Sequence, residues 1–149
     1  MRIRNSMNLE YYLCVGFEHC GFLVKSESIN KKYKVEMRYK DTFIPENRMG
    51  VYILADDKGN VLKIGETQNL RHRFSCYESH SRPTNKMIRE NIEMNDIITV
   101  LFLECPSYEV GFGGVKVPSG INYRILEKKL LKQYQSKMQA LPIWNKGIQ

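Results

Sequence analysis

Residues 50–74 read GVYILADDKGNVLKIGETQNLRHRF, two short apolar runs joined by a polar turn and followed by a helical pattern. The first run, Gly50–Ala55, and the second, Val61–Gly65, each have the length and the apolar content of a buried strand. The segment between them, Asp56–Asn60, carries the Asp, Gly and Asn residues that favour turns. We therefore predict a β-hairpin.

A helix should follow this hairpin directly. It begins near Leu70, where Asn69 or Thr67 can act as the N-cap, and Pro83 ends or interrupts it. Helical spacing places Leu70, Phe74 and Tyr77 on one face, which predicts that this face packs on the core.

The rest of the chain continues as alternating helices and strands. We predict a second helix over Asn85–Met94, a strongly β-branched strand over Ile97–Glu104, a protruding hairpin over about 106–120, and a helix from Ile121 to about Met138 that Pro142 closes. The pattern predicts an α/β fold with a hairpin insertion.

The first 45 residues form a leader rich in Tyr and Phe. Within it, Glu10–Val15 and Tyr33–Tyr39 are weak strand candidates, the second because apolar and charged residues alternate. This leader is interpreted as an edge strand, a dimer contact or a DNA clamp. We expect a core over 49–149 and an N-terminal extension over 1–48, which packs on the core or projects from it as an arm.

Composition limits the class of protein. The chain has 149 residues, 42% of them hydrophobic, which fits one globular domain and excludes a wholly disordered chain. Its longest apolar run is too short to span a bilayer, and no apolar stretch follows the basic N-terminus, so a cytoplasmic protein is expected. The net charge of +7 suits a polyanion such as nucleic acid.

The four cysteines form no CxxC pair. They are expected to be reduced thiols in this compartment. Cys14, His19 and Cys20 resemble half of a zinc site, but the second half is missing, so no structural zinc is expected.

Glu127 is the most informative single residue. At about 100° per residue, it falls among Leu126, Leu130, Leu131 and Tyr134 on the apolar face of the last helix. A carboxylate there is costly to bury unless it is paired or holds a metal. Two interpretations stay open, a structural salt bridge to a buried Arg and a metal or catalytic role.

Three more polar residues interrupt apolar patterns. Lys63 stands inside the second strand, where it is paired, functional, or exposed on the outer face of a half-exposed sheet. Arg73 and Tyr77 share one face of the first helix, with Arg71 on the other flank, and such a pair can stack and snorkel without any function.

Taken together, these residues resemble the GIY-YIG nuclease family over residues 49–147. Six elements occur in the family's order: Gly50-Val51-Tyr52, Lys63-Ile64-Gly65, the run 66–74 that leads to Arg73, then Tyr77, Glu127 and Pro142-Ile143-Trp144-Asn145. Lys63 follows Tyr52 by 11 residues, a typical separation, and replaces the usual Tyr. A branch of the GIY-YIG type II restriction enzymes has a similar Lys at this position. The overall arrangement of the chain resembles small phage endonucleases of the endonuclease II type.

The resemblance implies a three-stranded, mostly antiparallel sheet flanked by helices, and hydrolysis of DNA phosphodiesters with one Mg²⁺ or Mn²⁺ ion and no small-molecule cofactor. Glu127 would hold the metal, and Arg73 would bind phosphate oxygens. Tyr52 would deprotonate water, with Lys63 lowering its pKa or taking its proton. Tyr77 would position the phosphate or the water.

Supporting and binding residues are expected around this set. Asn145 would brace the site, and Gly65 would allow a tight exit from its strand. Arg71 and Lys116 are candidate contacts to double-stranded DNA.

Two other functions remain open, a non-catalytic DNA-binding module and a structure-selective repair or recombination nuclease. A double-strand break by a one-site protomer would need a homodimer, a higher oligomer or two successive nicks.

Overall fold

A computed structural model describes residues 7–27, 33–78, 87–88, 90, 92, 97–105, 107–110, 115–118 and 123–145. Within these residues the chain forms one antiparallel sheet of five strands, a separate two-stranded hairpin, and helices on both faces of the large sheet. The α/β class is confirmed, but the sheet has five strands rather than three.

The large sheet has the strand order β2-β1-β5-β3-β4, and every neighbouring pair is antiparallel. Its strands are β1 (Glu18–Glu27), β2 (Tyr33–Tyr39), β3 (Gly50–Ala55), β4 (Val61–Thr67) and β5 (Ile97–Glu104). The predicted hairpin is therefore β3 and β4, and the predicted third strand is β5, which pairs with β3 along its length.

Three helices have both ends within the described residues: α1 (Leu9–Cys14), α2 (Leu70–Tyr77) and α3 (Tyr123–Met138). A short 3₁₀ helix, Ile143–Asn145, follows α3. Between α2 and β5, four described positions are helical: Met87, Ile88, Glu90 and Ile92. They lie inside the predicted second helix, whereas Pro83 lies outside the described residues.

The core has two layers, one on each face of the sheet. On one face, Leu70, Phe74 and Tyr77 of α2 pack with Tyr52 and Leu54 of β3. On the other face, α1 and α3 cover the alternate strand positions, including Val51, Ile53 and Ile64. Because both faces are covered, β3 is buried at all six positions, which explains its unbroken apolar run.

The leader differs from its prediction in two ways. Glu10–Val15 is not a strand: residues 9–14 form α1, where the Asn8 side chain accepts a hydrogen bond from the Tyr11 N–H at 3.1 Å. The Tyr33–Tyr39 strand is confirmed as β2, but the longer β1 between it and β5 was missed. A register shift between His19 and Gly21 breaks the alternation in β1 that would have revealed it.

The predicted insertion is confirmed as a two-stranded hairpin, β6 (Ser107–Val110) and β7 (Val115–Pro118). In the described part of the chain no helix is both long enough and apolar enough to cross a membrane.

Candidate active site

The N-terminus of α2 is fixed by three hydrogen bonds, two to side chains and one to a main-chain carbonyl. The Thr67 hydroxyl accepts a hydrogen bond from the Asn69 N–H at 3.0 Å, and the Asn69 side chain accepts one from the His72 N–H at 3.0 Å. The Leu70 N–H donates to the Arg48 carbonyl at 2.9 Å. Asn69 is thus the N-cap, as predicted, and the helix begins three residues after β4. This short connection holds Arg73 and Tyr77 beside the sheet.

Three aromatic rings join α2 to the sheet. Tyr52, Phe74 and Tyr77 pack edge to face, with ring centroids 5.2–6.1 Å apart. The buried hydroxyls of Tyr52 and Tyr77 form a hydrogen bond with each other. The Lys63 Nζ lies 5.9 Å from the centre of the Tyr77 ring. Tyr52, Lys63 and Tyr77 are therefore brought together, as the family pattern predicts.

Gly65 makes room for Tyr52. The two residues are partners in the β3–β4 ladder, and a Cβ on Gly65 would lie 2.4 Å from Cζ of Tyr52 and 2.5 Å from its hydroxyl oxygen. The expected role at a strand exit is wrong, because Gly65 lies inside β4, two residues before its end. Any larger side chain there would displace the Tyr52 ring.

The polar residues surround one partly open cavity of about 300 Å³. It is lined by Tyr52, Lys63, Gly65, Glu66, Arg73, Glu127, Leu131, Leu141 and Asn145. Its walls come from β3 and β4, from α2 on one face of the sheet, and from α3 on the other, so the cavity sits at the β4 edge of the sheet.

Lys63 faces this cavity and not the solvent. Only 8% of the residue is exposed, so an outward-facing position is wrong. A register shift in the β3–β4 ladder lies beside it, and Leu62 and Lys63 are both buried although they are neighbours in sequence. Within the described residues no carboxylate forms an ion pair with Lys63 or with Arg73.

Glu127 reaches the cavity from α3. It is half-buried, and in the described part of the chain it forms no salt bridge with an arginine. Of the two interpretations left open by the sequence, the salt bridge to a buried Arg therefore finds no support here. Instead, the carboxylate stands at the cavity with Lys63 and Arg73 on its other walls.

Burial and neighbouring charges shift the proton affinities of these groups. Burial raises the pKa of the Tyr52 phenol well above 10.0, the Tyr77 hydroxyl raises it further, and the Arg73 guanidinium opposes this. Burial, with the Arg73 charge, lowers the pKa of Lys63, while Glu127 acts in the opposite direction. Burial and the Tyr77 hydroxyl therefore favour the neutral phenol at Tyr52. Lys63 is shifted toward the neutral amine.

Glu66 also belongs to this cavity, and sequence reasoning missed it. Burial raises the pKa of the Glu127 carboxyl, and the Glu66 charge adds to this effect. The backbone N–H of Glu66, together with Lys63 and Lys128, acts in the opposite direction. The available signal was an acidic residue directly after the second tripeptide, inside the strand.

Asn145 braces β4 from outside. Its side-chain oxygen accepts a hydrogen bond from the Ile64 N–H at 3.0 Å, and its side-chain nitrogen donates to the Ile64 carbonyl at 2.9 Å. Both main-chain groups of Ile64 therefore face the free edge of the sheet, where Asn145 satisfies them as a neighbouring strand would. The clamp lies between Lys63 and Gly65 and holds both against the cavity.

Of the two predicted DNA contacts, Arg71 lies apart from this cluster. Arg71 is exposed, forms an ion pair with Glu46 and does not line the cavity. Lys116 belongs to β7, and its side chain lies outside the described residues.

No protein-family model matches the chain. By sequence it is similar to UvrABC system protein C of Bartonella quintana (36% identity over 56 residues, 36% of this chain) and of Methanococcus maripaludis (29% over 97 residues, 63% of this chain). The chain spans only 8% and 15% of the lengths of these relatives.

The fold is similar to that of the restriction endonuclease HPY188I in complex with product DNA, with a TM-score of 0.57 and 16% identity over 93% of this chain and 85% of that one. It is also similar to a mutant of bacteriophage T4 EndoII, with a TM-score of 0.61 and 15% identity over 93% of this chain and 98% of that one. These likenesses support the resemblance to the GIY-YIG nuclease family.

The fold explains why the motif residues are scattered along the sequence. Tyr52 and Lys63 come from the hairpin, Arg73 from α2 and Glu127 from α3, yet all four line one cavity. The fifth, Tyr77, reaches the site through its hydrogen bond to Tyr52.

Proposed function

We propose that this chain is a divalent-metal-dependent DNA endonuclease that hydrolyses phosphodiester bonds. The observation that carries the proposal is the convergence of two carboxylates, two cations and a phenol around one cavity. Phosphodiester hydrolysis needs a metal ligand, donors for the phosphate and a proton acceptor for water, and these residue types supply all three.

The donor set fits Mg²⁺ or Mn²⁺ bound mainly through water. Glu127 would hold the ion, with the Glu66 carboxylate near it, and the described residues contain no cluster of three or more His, Cys, Asp or Glu side chains. Mg²⁺ typically uses one or two carboxylates and keeps several waters. When bound, the ion would polarise the scissile phosphate and offset the charge of the leaving group.

Arg73 is the proposed phosphate ligand. Its guanidinium lines the cavity, and no carboxylate of the described residues is paired with it. An unpaired guanidinium can donate two hydrogen bonds to phosphate oxygens, and it stabilises the negative charge that builds up during hydrolysis.

We assign proton transfer to Tyr52 and Lys63 together. The raised pKa of Tyr52 keeps its hydroxyl protonated near neutral pH, so the phenol cannot act as a base unaided. The lowered pKa of Lys63 increases the fraction of neutral amine, which can accept a proton from water or from Tyr52 as the phenol takes one. Tyr77 would keep the Tyr52 hydroxyl in place.

The restriction or phage type is the preferred subclass. The support for it is that the likeness to T4 EndoII covers 98% of that chain, whereas the likeness to UvrABC system protein C covers a small part of that protein. The proposed substrate is double-stranded DNA, and the active species is a homodimer, a higher oligomer or a protomer that nicks twice. A structure-selective nuclease and a non-catalytic binding module are the alternatives.

A plasmid-nicking assay with and without Mg²⁺ tests the proposal. Wild-type protein should convert supercoiled plasmid to nicked or linear forms only with the metal. Linear and branched duplexes supplied in parallel should show comparable cleavage for the restriction or phage type. Cleavage confined to branched duplexes would favour the structure-selective alternative. Binding without cleavage, in Mg²⁺ and in Mn²⁺, would leave only the binding module.

A further inference from the structure

The outer surface of α3 carries an excess of positive charge. The helix contains five cations, Arg124, Lys128, Lys129, Lys132 and Lys137, and a single acid, Glu127. That acid lines the cavity, so the exposed positions of the helix carry cations and no carboxylate. Arg124, Lys128, Lys129 and Lys132 are all exposed.

Three of these cations form a stripe beside the cavity. Arg124, Lys128 and Lys132 are spaced four residues apart, so they lie along one side of the helix. Glu127 and Leu131 of the same helix line the cavity, and each is followed by a lysine of the stripe. Because Glu127 and Leu131 are the direct neighbours of Lys128 and Lys132, these two lysines lie close to the rim of the cavity.

The two lysines of the stripe, Lys128 and Lys132, differ in their pairing from other exposed cations. Among the described residues, Lys128 and Lys132 form no ion pair, whereas exposed arginines elsewhere do: Arg38 pairs with Glu36, and Arg71 with Glu46. Like charges one helical turn apart repel each other and destabilise a helix. Such a stripe is unfavourable in the isolated protein, and an external polyanion would relieve the repulsion.

We propose that the stripe Arg124–Lys128–Lys132 binds the phosphate backbone of duplex DNA on one side of the cleaved bond. This inference rests on the proposed nuclease function and adds the path that the duplex takes. At a rise of 1.5 Å per residue the stripe is about 12 Å long. It therefore extends over about three to four nucleotide steps of 3.4 Å. Contacts of this kind set position and affinity and carry no base specificity.

The test compares two double variants with the same change in charge. Lys128→Gln with Lys132→Gln removes two cations of the stripe. Lys40→Gln with Lys137→Gln is the control, because Lys40 follows β2 at the opposite edge of the sheet and Lys137 lies near the end of α3 outside the stripe. Binding of a 30-base-pair duplex of arbitrary sequence is measured in Ca²⁺ over a salt series, and wild-type cleavage is measured separately in Mg²⁺.

The stripe variant should reduce the magnitude of the log–log salt slope by about two units and weaken binding roughly tenfold or more. The control should keep the wild-type slope and affinity, and Lys128→Arg with Lys132→Arg should restore both. Equal losses in the stripe variant and the control, or no loss in either, would overturn the stripe while wild-type cleavage kept the nuclease proposal. A wild type that neither binds nor nicks the duplex would instead reject the nuclease.

Discussion

The two outermost strands of the sheet, β4 and β2, are covered in different ways. At β4, Asn145 binds both main-chain groups of Ile64, and the backbone N–H of Glu66 acts on the Glu127 carboxyl. At β2, the Glu78 side chain accepts one hydrogen bond from the Met37 N–H at 2.9 Å, in an exposed position. The same strand carries an exposed ion pair between Arg38 and Glu36.

An unpaired strand edge is a hazard, because another strand can pair with it. At β2 the described edge carries an exposed ion pair and one side-chain hydrogen bond, and none of these side chains lines the cavity. At β4 the groups that lie against the edge are also the groups that face the cavity. At β4, the residues that cover the sheet edge therefore also form the site, whereas at β2 the residues that cover the edge lie away from the site. Substitutions at the two edges should separate activity from stability.

The largest effect is expected for Glu127→Gln. The amide keeps the size and an acceptor oxygen, so folding should be preserved, but it cannot replace the carboxylate as a metal ligand. Cleavage in Mg²⁺ should fall roughly 10³-fold or more, which corresponds to the several kcal/mol that a metal ion contributes. Duplex binding in Ca²⁺ should stay equal or become tighter, because a negative charge near phosphate is gone. Full activity in Mg²⁺ would refute the metal assignment.

Lys63→Met should have the next largest effect. If the neutral amine accepts a proton, the wild-type single-turnover rate rises as pH rises through the lowered pKa of Lys63, and levels off above it. The Met variant should lose roughly 10²- to 10⁴-fold and show no such rise, since the raised pKa of Tyr52 prevents unaided ionisation below about pH 10.

Two further variants complete that test. Tyr52→Phe should lose rate at every pH, because no phenol remains. Lys40→Met, beside the β2 edge, should keep both the rate and the profile. Parallel profiles for wild type and Lys63→Met would exclude the proton-transfer role and leave Glu127 and Arg73 unaffected.

Asn145→Ala should mainly lower stability. It leaves a buried N–H and a buried carbonyl of Ile64 without partners, at about 1–3 kcal/mol for each group. Chemical denaturation should therefore show a free energy of unfolding lower by about 2–6 kcal/mol, and cleavage should fall as well because Lys63 and Gly65 flank the clamp. Asn145→Asp keeps the acceptor for the Ile64 N–H but places a carboxylate oxygen against the Ile64 carbonyl, so it should also lower the free energy of unfolding. Unchanged stability for Asn145→Ala would show that water can replace the clamp.

The smallest effect is expected at the other edge, for Glu78→Ala. It removes one exposed hydrogen bond to Met37, so the free energy of unfolding should change by no more than about 0.5 kcal/mol. Cleavage should equal that of wild type, as measured by the same plasmid assay. A loss of cleavage comparable to that of Asn145→Ala would mean that the two edges are not functionally distinct.

The sequence predicts the β3–β4–α2 unit well, because several local signals agree there. Apolar runs, a turn rich in Asp, Gly and Asn, and the capping residue Asn69 all specify the same elements. The leader is different: α1 has only six residues, and the register shift in β1 hides the alternation on which strand prediction depends.

The site residues also divide into those that local sequence signals predict and those that they do not. The helical position of Glu127 indicates a carboxylate turned toward the apolar side, and it is half-buried at the cavity. The burial of Lys63 could not be predicted from alternation, since the register shift beside it breaks the pattern. Nor could the raised pKa of Tyr52, which depends on burial against Tyr77, a residue 25 positions away in sequence.

The clamp between Ile64 and Asn145 joins residues separated by 81 positions. Translation therefore delivers the site in two stages: the hairpin and α2 emerge from the ribosome early, and Glu127 and Asn145 emerge much later. A nascent chain that ends before Glu127 already carries Tyr52, Lys63 and Arg73, but it lacks the carboxylate that would hold the metal and the amide that secures β4. If the chain cuts DNA as proposed, a chain that ends before Glu127 lacks the proposed metal ligand and should not cleave.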